Sequence, residues 1–106
     1  MNELEWLQQY YLECCNGDWE HTYGVKIDTL DNPGWKIEIM LTDTTLEDVF
    51  SDKKEIERSE DDWVFCTINK EKFLGYGGAK NLTEMIGIFR KWVEEYENFS
   101  VDKKAE

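Results

Sequence analysis

The first clear periodic pattern lies near the N-terminus. Apolar side chains recur every three or four residues over residues 3–14, at Leu4, Leu7, Tyr11 and Cys14, with Trp6 and Tyr10 widening the stripe. This spacing places them on one side of an α-helix. Asn16 and Gly17 follow, and both residue types accept the left-handed backbone that ends many helices. The pattern predicts a helix over residues 3–14 whose stripe faces the core.

Two alternating stretches then predict a β-hairpin. Apolar and polar residues alternate over residues 23–28 and again over 35–41. Between them, Asp31-Asn32-Pro33-Gly34 has Pro and Gly at the central positions of a type II turn. Alternation in a strand sends successive side chains to opposite faces of the sheet. The pattern places these residues toward the core: Val25, Ile27, Ile37 and Ile39.

The middle of the chain predicts a connection and three more strands. Residues 42–52 are polar and acidic, with Leu46, Val49 and Phe50 as their apolar anchors, and predict a connection with a short helical turn. Strands are expected over residues 54–59, with Ile56 inward, over 63–68, and over 72–76, with a turn at 60–62. Three glycines are expected to loosen the exit from the sheet: Gly75, Gly77 and Gly78.

The last element has the strongest helical pattern. Asn81 and Glu84 have the spacing of a capping box, and an apolar stripe then runs from Leu82 to Tyr96. The helix is expected to end near residue 97. The element order predicts an α+β fold: an antiparallel sheet of about five strands with the N-terminal and C-terminal helices packed on one face, as a two-layer sandwich. We expect one domain over residues 1–97 and a polar tail over 98–106.

Composition and charge restrict the partners of this chain. Its 106 residues are 41% hydrophobic and 14% aromatic, which is enough to build a core. The chain has 24 acidic and 12 basic side chains and a formal charge of −12. Nucleic acids are held mainly by Lys and Arg, so a nucleic-acid ligand is not expected. Residues 1–62 hold 17 acidic and 5 basic side chains, whereas residues 63–106 hold 7 of each. The whole surplus therefore lies in the first part of the chain.

The chain also lacks the patterns of export, membrane insertion and metal binding. No apolar run approaches the roughly 18 residues of a membrane helix. The first five residues are acidic where a signal peptide would be basic. The cysteines Cys14, Cys15 and Cys66 show no zinc-site spacing, and none has the cationic neighbours that activate a thiolate. We expect a cytoplasmic protein, monomeric or weakly dimeric, with no membrane contact, cofactor or metal.

Gly17-Asp18-Trp19-Glu20-His21 is the most chemically suggestive segment. In a structural interpretation, Asp18 or Glu20 caps backbone groups at the corner after the first helix, Trp19 packs and His21 makes a fixed hydrogen bond. In a second interpretation these four residues bind a partner. A third makes Asp18, Glu20 and His21 the centre of a small acid–base or metal-dependent enzyme. A metal site usually needs three or four ligands, and the chain has one histidine, so the structural interpretation is favoured.

The outward face of the predicted sheet is the second candidate surface. Alternation sends Lys26, Asp28, Glu38, Glu55 and Glu57 to this face, which is therefore expected to be mostly acidic. Trp63 and Phe65 alternate with Val64, Cys66 and Ile68, so one of these sets must place apolar side chains there. Aromatic residues among acidic ones are typical of protein interfaces. The predicted contact residues are Asp28, Glu38, Glu57, Asp61, Asp62 and Trp63; a module in which Trp19 or Trp63 stacks on a small cationic or carbohydrate ligand is an alternative.

Several segments resemble a known family in the same order along the chain. They are Leu4-Glu5-Trp6-Leu7-Gln8, Gly17-Asp18-Trp19-Glu20-His21, Tyr23-Gly24-Val25-Lys26-Ile27, Thr29-Leu30-Asp31-Asn32-Pro33-Gly34-Trp35, Ser59-Glu60-Asp61-Asp62-Trp63 and Gly77-Gly78 with Asn81-Leu82. Together they are similar to the immunity protein 53 family of bacterial polymorphic toxin systems, from about Leu4 to Trp92.

The resemblance implies a function for the acidic surface. Members of such a family are cytosolic antidotes that bind and block a cognate toxin domain, and they have no catalytic activity of their own. Toxins that act on nucleic acids tend to be basic, so an acidic antidote would be steered toward them by charge. The sequence therefore predicts a non-enzymatic inhibitor of a basic toxin domain, such as a nuclease.

Overall fold

A computed structural model describes residues 1–44, 46–47 and 51–105, with side chains up to Tyr96. The predicted anchors Val49 and Phe50 lie outside the described residues. The helices are α1 (Glu3–Cys14), α2 (Trp19–Thr22) and α3 (Leu82–Ala105), and the strands are β1 (Val25–Leu30), β2 (Gly34–Met40), β3 (Asp52–Glu57), β4 (Trp63–Ile68) and β5 (Lys72–Gly78). No helix in this described part is both long and apolar enough to cross a membrane.

Within the described residues the strands form one antiparallel sheet in the order β1-β2-β5-β4-β3. The two edges of the sheet are therefore β1 and β3. Buried side chains of α1, of α3 and of one sheet face form a single core, which includes Leu7, Ile37, Phe73 and Phe89. The predicted α+β fold, with both helices on one face, is confirmed. β3 begins two residues before its predicted start, and the backbone of α3 stays helical to Ala105, past the predicted end near residue 97.

The connection between β1 and β2 differs from the predicted type II turn. Leu30 and Gly34 are paired across the strands, so the loop consists of residues 31–33 and Gly34 belongs to β2. A type II turn needs a positive φ at the second of its two central residues, which would be Gly34 after Pro33. The φ of Gly34 is not positive; in the described chain the glycines with positive φ are Gly17 and Gly24. Close packing explains the glycine instead, because a Cβ atom on Gly34 would collide with the carbonyl oxygen of Gly77.

The glycines after residue 74 do not loosen the sheet. All three lie in β5 and are buried. A Cβ atom on Gly75 would come within 2.9 Å of Ile37 Cγ2 and 3.1 Å of Met85 Sδ, and one on Gly77 would come within 3.2 Å of Met85 Sδ. Because these positions of β5 are glycines and have no side chains, α3 can pack directly against the backbone of the strand.

The buried face of α1 is rotated from the predicted stripe. Leu7 and Tyr10 are buried, but Leu4 and Tyr11 are 55% and 39% exposed. The rings of Trp6 and Tyr10 contact Phe89 of α3, with centroids 5.9 and 5.1 Å away. These aromatic contacts turn the Trp6–Tyr10 side of α1 toward the core and leave Leu4 and Tyr11 outside it.

Candidate functional site

Glu20 closes the corner between α1 and β1. Its carboxylate accepts hydrogen bonds from the backbone N–H of Asn16 at 2.9 Å and of Gly17 at 2.8 Å. Hydrogen bonds from its own backbone amide and from those of Asn16 and Gly17 hold the pKa of Glu20 below its usual value. Gly17 takes a left-handed conformation with φ +97° that brings its amide round to this carboxylate. The carboxylate of Glu20 therefore has a structural role in capping the corner.

Trp19 packs beneath the corner. Its side chain is 2% exposed, and its Nε1–H donates to the carbonyl oxygen of Thr42 at 3.1 Å. Its ring lies 6.0 Å from that of Tyr11. A side chain at this depth is unavailable to a partner or a stacking ligand, so Trp19 leaves the set of proposed contact residues. The segment instead fastens the end of α1 to the end of β2.

Asp18 and His21 are the exposed members of the corner. Among the described residues, the His21 side chain makes no hydrogen bond or ion pair, so the fixed hydrogen bond expected for it is not formed; its backbone N–H donates to the Asp18 carbonyl oxygen at 3.1 Å. The same described part contains no grouping of three or more His, Cys, Asp or Glu side chains suited to a metal ion. With Glu20 occupied by backbone amides, the acid–base alternative has no support in this geometry.

The thiols of Cys14 and Cys66 are poorly suited to nucleophilic chemistry. Cys66 is fully buried, and burial raises its pKa to about 12. Burial also raises the pKa of Cys14. A thiol with a raised pKa is protonated at neutral pH and reacts slowly. The local environment of both residues therefore favours packing over catalysis.

The turn before β4 is tied to the start of α3 by a charged network. Arg58 forms ion pairs with Asp62 at 2.9 Å and with Glu84 at 2.6 Å. Asn81 Nδ2 donates to the same two carboxylates, at 2.9 and 3.0 Å. The hydrogen bond from Asn81 and the neighbouring Arg58 lower the pKa of Asp62. Hydrogen bonding to Arg58, and then to Asn81, lowers the pKa of Glu84. Asp62 is thus engaged within the fold, while Asp61 is exposed beside it.

This network replaces the capping box predicted at the start of α3. Asn81 does precede the helix, but its amide group binds Asp62 and Glu84, and its buried Oδ1 accepts no hydrogen bond among the described residues. Glu84 turns toward Arg58 rather than to the backbone at Asn81. An open cleft of about 610 Å³ lies here, bounded by Arg58, Asp61, Asp62, Lys80, Asn81 and Glu84. The side chain of Arg58, in the turn after β3 and 26 residues before Glu84, therefore takes the carboxylate that the local cap would have used.

The face of the sheet opposite the helices, which we call the open face, carries both charge signs. The strand register places Lys26, Asp28, Glu38, Glu55 and Glu57 there as predicted, but also Lys36, Lys53 and Lys72. Glu38 and Lys72 form an ion pair at 3.1 Å, and this hydrogen bond lowers the pKa of Glu38. The open face is therefore balanced in charge rather than mostly acidic, because Lys36 and Lys53 lie on the same face as Glu38 and Glu55 of their own strands and Lys72 joins them from β5.

Half-buried aromatic side chains occupy the centre of the open face. Trp63 and Phe65 project to this face, while Val64, Cys66 and Ile68 are buried toward the helices. One row of paired residues crosses all the described strands: Asp28, Lys36, Tyr76, Phe65 and Glu55. The predicted aromatic contribution to this face is thus present, and Trp63 is accessible at its edge.

The predicted contact residues fall into three separate places. The corner with Asp18 and His21 leads into edge strand β1, whereas the turn with Asp61 and Asp62 follows the opposite edge strand, β3. Asp28, Glu38, Glu57 and Trp63 lie on the open face. Sequence reasoning did not predict the exposed apolar side of α1 with Leu4 and Leu12, because it assigned Leu4 to the core stripe. A helical projection centred on Trp6 and Tyr10 would have revealed it.

The pKa shifts predict how stability depends on pH. Glu20, Glu38, Asp62 and Glu84 all have lowered pKa values in the folded protein. Stability that depends on a lowered pKa is present above the unfolded-state value, 4.5 for Glu and 3.8 for Asp, and is lost as the pH falls through the folded-state value. We therefore expect Glu84→Gln to destabilise the protein at pH 7 and this difference from wild type to shrink below pH 4.5.

Urea unfolding of both proteins from pH 7 to pH 3 measures that difference. Protonation of carboxylates at low pH also reduces the general repulsion within this acidic chain, which by itself stabilises the folded state. Both proteins share this effect, so the difference between them removes it. Glu55→Gln is the control, because Glu55 is exposed and its side chain makes no hydrogen bond within the described residues. A wild-type to Glu84→Gln difference that stays constant across the range would contradict the prediction.

The comparisons with known proteins identify the family. A family model described as immunity protein 53 matches residues 4–94, which include the corner at Asp18, the whole sheet and the packed part of α3. No curated protein and no solved structure matches the chain. The match spans most of the sequence and agrees with the segments that resembled this family. The chain belongs to the immunity protein 53 family.

Proposed function

We propose that this protein binds a cognate toxin domain of a bacterial polymorphic toxin system in the cytoplasm and blocks it by occupying its surface. The family match over residues 4–94 carries the proposal. Immunity proteins protect the cell that makes the toxin, so the relevant activity is binding. The internal hydrogen bonds of Glu20, Asp62 and Glu84 support a role without catalysis, since these carboxylates are used to hold the fold.

The charge distribution supports a basic partner. The net charge is −12, and residues 1–62 carry 17 acidic and 5 basic side chains. The exposed Asp18, Asp28, Glu57 and Asp61 contribute to this field with no ion pair among the described residues. A basic toxin surface would be attracted over distances comparable to the Debye length, about 10 Å at 0.1 M salt. A nuclease fits this description, because its substrate site must bind phosphates.

A growth experiment tests the function directly. A candidate toxin domain, taken from a gene neighbouring this one, is expressed alone and together with this chain. Expression of the toxin alone should arrest growth, and co-expression should restore it, with a stable complex of the two purified proteins. Arrest that persists in the presence of folded, abundant antidote would overturn the proposal.

The salt dependence of association tests the basic character of the toxin. Steering by opposite charges raises association rates by about 10- to 1,000-fold and weakens as salt screens it. We expect the association rate to fall at least about tenfold between roughly 50 and 500 mM salt, with little change in the dissociation rate. Stopped-flow tryptophan fluorescence measures both rates. An association rate that is independent of salt would rule out steering while leaving the inhibitory function intact.

A further inference from the structure

The outer face of α1, which we define as Leu4, Gln8, Tyr11 and Leu12, is an apolar surface that the fold leaves open. A helix repeats every 3.6 residues, so these positions lie together on the side turned away from the core. Leu4 is 55% exposed, Leu12 63% and Tyr11 39%. Among the described side chains, all exposed large hydrophobic residues occur within residues 1–27: Met1, Leu4, Tyr11, Leu12 and Ile27. Scattered exposed leucines are ordinary, but a set on one helix face marks an interaction site.

The same region is acidic. Residues 1–24, which form α1 and the corner, contain five acidic side chains and no lysine or arginine, against a total of −12 for the chain. Glu5 follows Leu4 on α1, and Asp18 is exposed at the corner beyond its C-terminal end. The Tyr11–Trp19 ring contact joins the corner to the outer face of α1. An apolar centre with an acidic rim results.

The open face lacks this combination. Its aromatic residues are half-buried between neighbouring strands, and its four lysines offset its four carboxylates. A basic partner would gain little from charge there. Apolar anchors surrounded by complementary charge are the arrangement that contributes most to protein interfaces.

We propose that the outer face of α1, extended by the corner at Asp18, is the surface that the toxin domain covers. The proposal rests on the proposed function and names the surface that performs it. The partner surface is basic, with an apolar patch that receives Leu4 and Leu12. A second copy of this chain is the less suitable occupant, because a twofold contact would bring two surfaces of the same negative charge together.

The size of the surface is consistent with an interface that extends past the helix. The 12 residues of α1 span about 18 Å. Typical stable interfaces bury about 800 Å² on each partner, more than one face of such a helix provides. The corner and the exposed edge strand β1 follow α1 directly along the chain, and we expect them to supply the remaining area.

Truncation of the two leucines tests the apolar centre. In Leu4→Ser/Leu12→Ser both changes are at exposed positions, so the thermal unfolding temperature should stay close to that of wild type. Affinity for the purified toxin domain should fall at least about 100-fold, mainly through faster dissociation. Leu74→Ser on the open face is the matched control, with its folding checked by circular dichroism, and should bind like wild type.

A pair of charge variants tests the acidic rim. Glu5→Gln/Asp18→Asn and Glu55→Gln/Glu95→Gln each remove two exposed carboxylates and change the net charge equally. The change at Glu5 preserves the capping box with Asn2, because glutamate and glutamine both serve in that position. The first variant should slow association several-fold more than the second. Polylysine is a polycation without an apolar patch, so Leu4→Ser/Leu12→Ser and wild type should bind it with the same affinity.

The outcomes separate this proposal from the proposed function. If the wild-type protein fails to bind the toxin domain, both are overturned. In a second outcome, wild type and Leu4→Ser/Leu12→Ser bind the toxin domain equally well and Leu74→Ser binds it weakly. The toxin then uses the open face, and only this proposal fails. If sedimentation shows a wild-type dimer that Leu4→Ser/Leu12→Ser dissociates, a second copy occupies the face and the proposal is also overturned.

Discussion

Replacing Phe89 with alanine is expected to lower the free energy of unfolding by about 4 kcal/mol. Phe89 is fully buried, and its ring contacts those of Trp6, Tyr10 and Phe73 at centroid distances of 5.9, 5.1 and 4.8 Å. These contacts join α1, α3 and β5. Removal of a ring from such a site costs its hydrophobic transfer energy and leaves a cavity that neighbouring rings fill only partly.

The loss is large for a domain of this size. Total stability is typically about 5–15 kcal/mol, so the variant should approach the limit of folding. Because Phe89 holds α1 to the sheet, we also expect Phe89→Ala to accelerate backbone hydrogen exchange relative to wild type, and to do so more strongly in α1 than in β4. Urea unfolding with Leu12→Ala as the exposed control, expected to change stability by less than about 0.5 kcal/mol, measures the main effect. A change below about 1 kcal/mol for Phe89→Ala would contradict the packing described for this core.

Gly34→Ala is expected to destabilise the protein by about 3 kcal/mol. The added Cβ atom would meet the backbone carbonyl of Gly77 and would also lie 3.3 Å from Leu30 Cδ1. A backbone atom in a central strand cannot move aside as the end of a side chain can. The pairs Gly34–Gly78 and Leu30–Gly34 would have to separate, which weakens the contact between β1, β2 and β5.

Gly87→Ala makes the same chemical change in α3 and serves as the control. There the new methyl group would approach only Glu3 Oε2, at 3.0 Å, at the end of a flexible side chain. Alanine also stabilises a helix interior by up to about 1 kcal/mol relative to glycine. Guanidinium unfolding should therefore show a loss for Gly34→Ala and a small change or gain for Gly87→Ala. Equal effects at the two positions would show that the close approach at Gly34 does not restrict the side chain.

The local patterns predicted secondary structure well where one face of an element is buried. The helix at residues 3–14 and the strand at 63–68 have the predicted bounds, because apolar periodicity reflects burial on a known period. The outward positions of Asp28, Glu38 and Glu57 also followed from strand alternation. The expectation of a mostly acidic face was wrong, because Lys36 and Lys53 lie two residues from Glu38 and Glu55 on the same strands, and Lys72 joins them from β5.

Glycine was the residue type whose role was least predictable. A type II turn and a loosened strand end are local explanations for Gly34 and Gly75, and both were wrong. The actual causes are the Gly77 backbone and the Met85 side chain, 43 and 10 residues further along the chain. A glycine in a sequence shows only that the position has no side chain. The reason for its absence depends on which atoms lie next to that position in the folded protein.

The sequence by itself determined the order of α1, the five strands and α3, the alternation of strand residues between the two sheet faces, the acidic surplus and the family; it did not predict the short helix α2. Each of these properties depends on composition or on the short repeat of apolar residues along a helix or strand, so it can be predicted from the residues of one segment. The tertiary structure decided the rotation of α1, the burial of Trp19 and the capture of Glu84 by Arg58. These depend on contacts between segments distant along the chain, where ring packing and ion pairing outweigh local preferences. That rotation is also what exposes Leu4 on the same side of α1 as Leu12, next to the acidic corner.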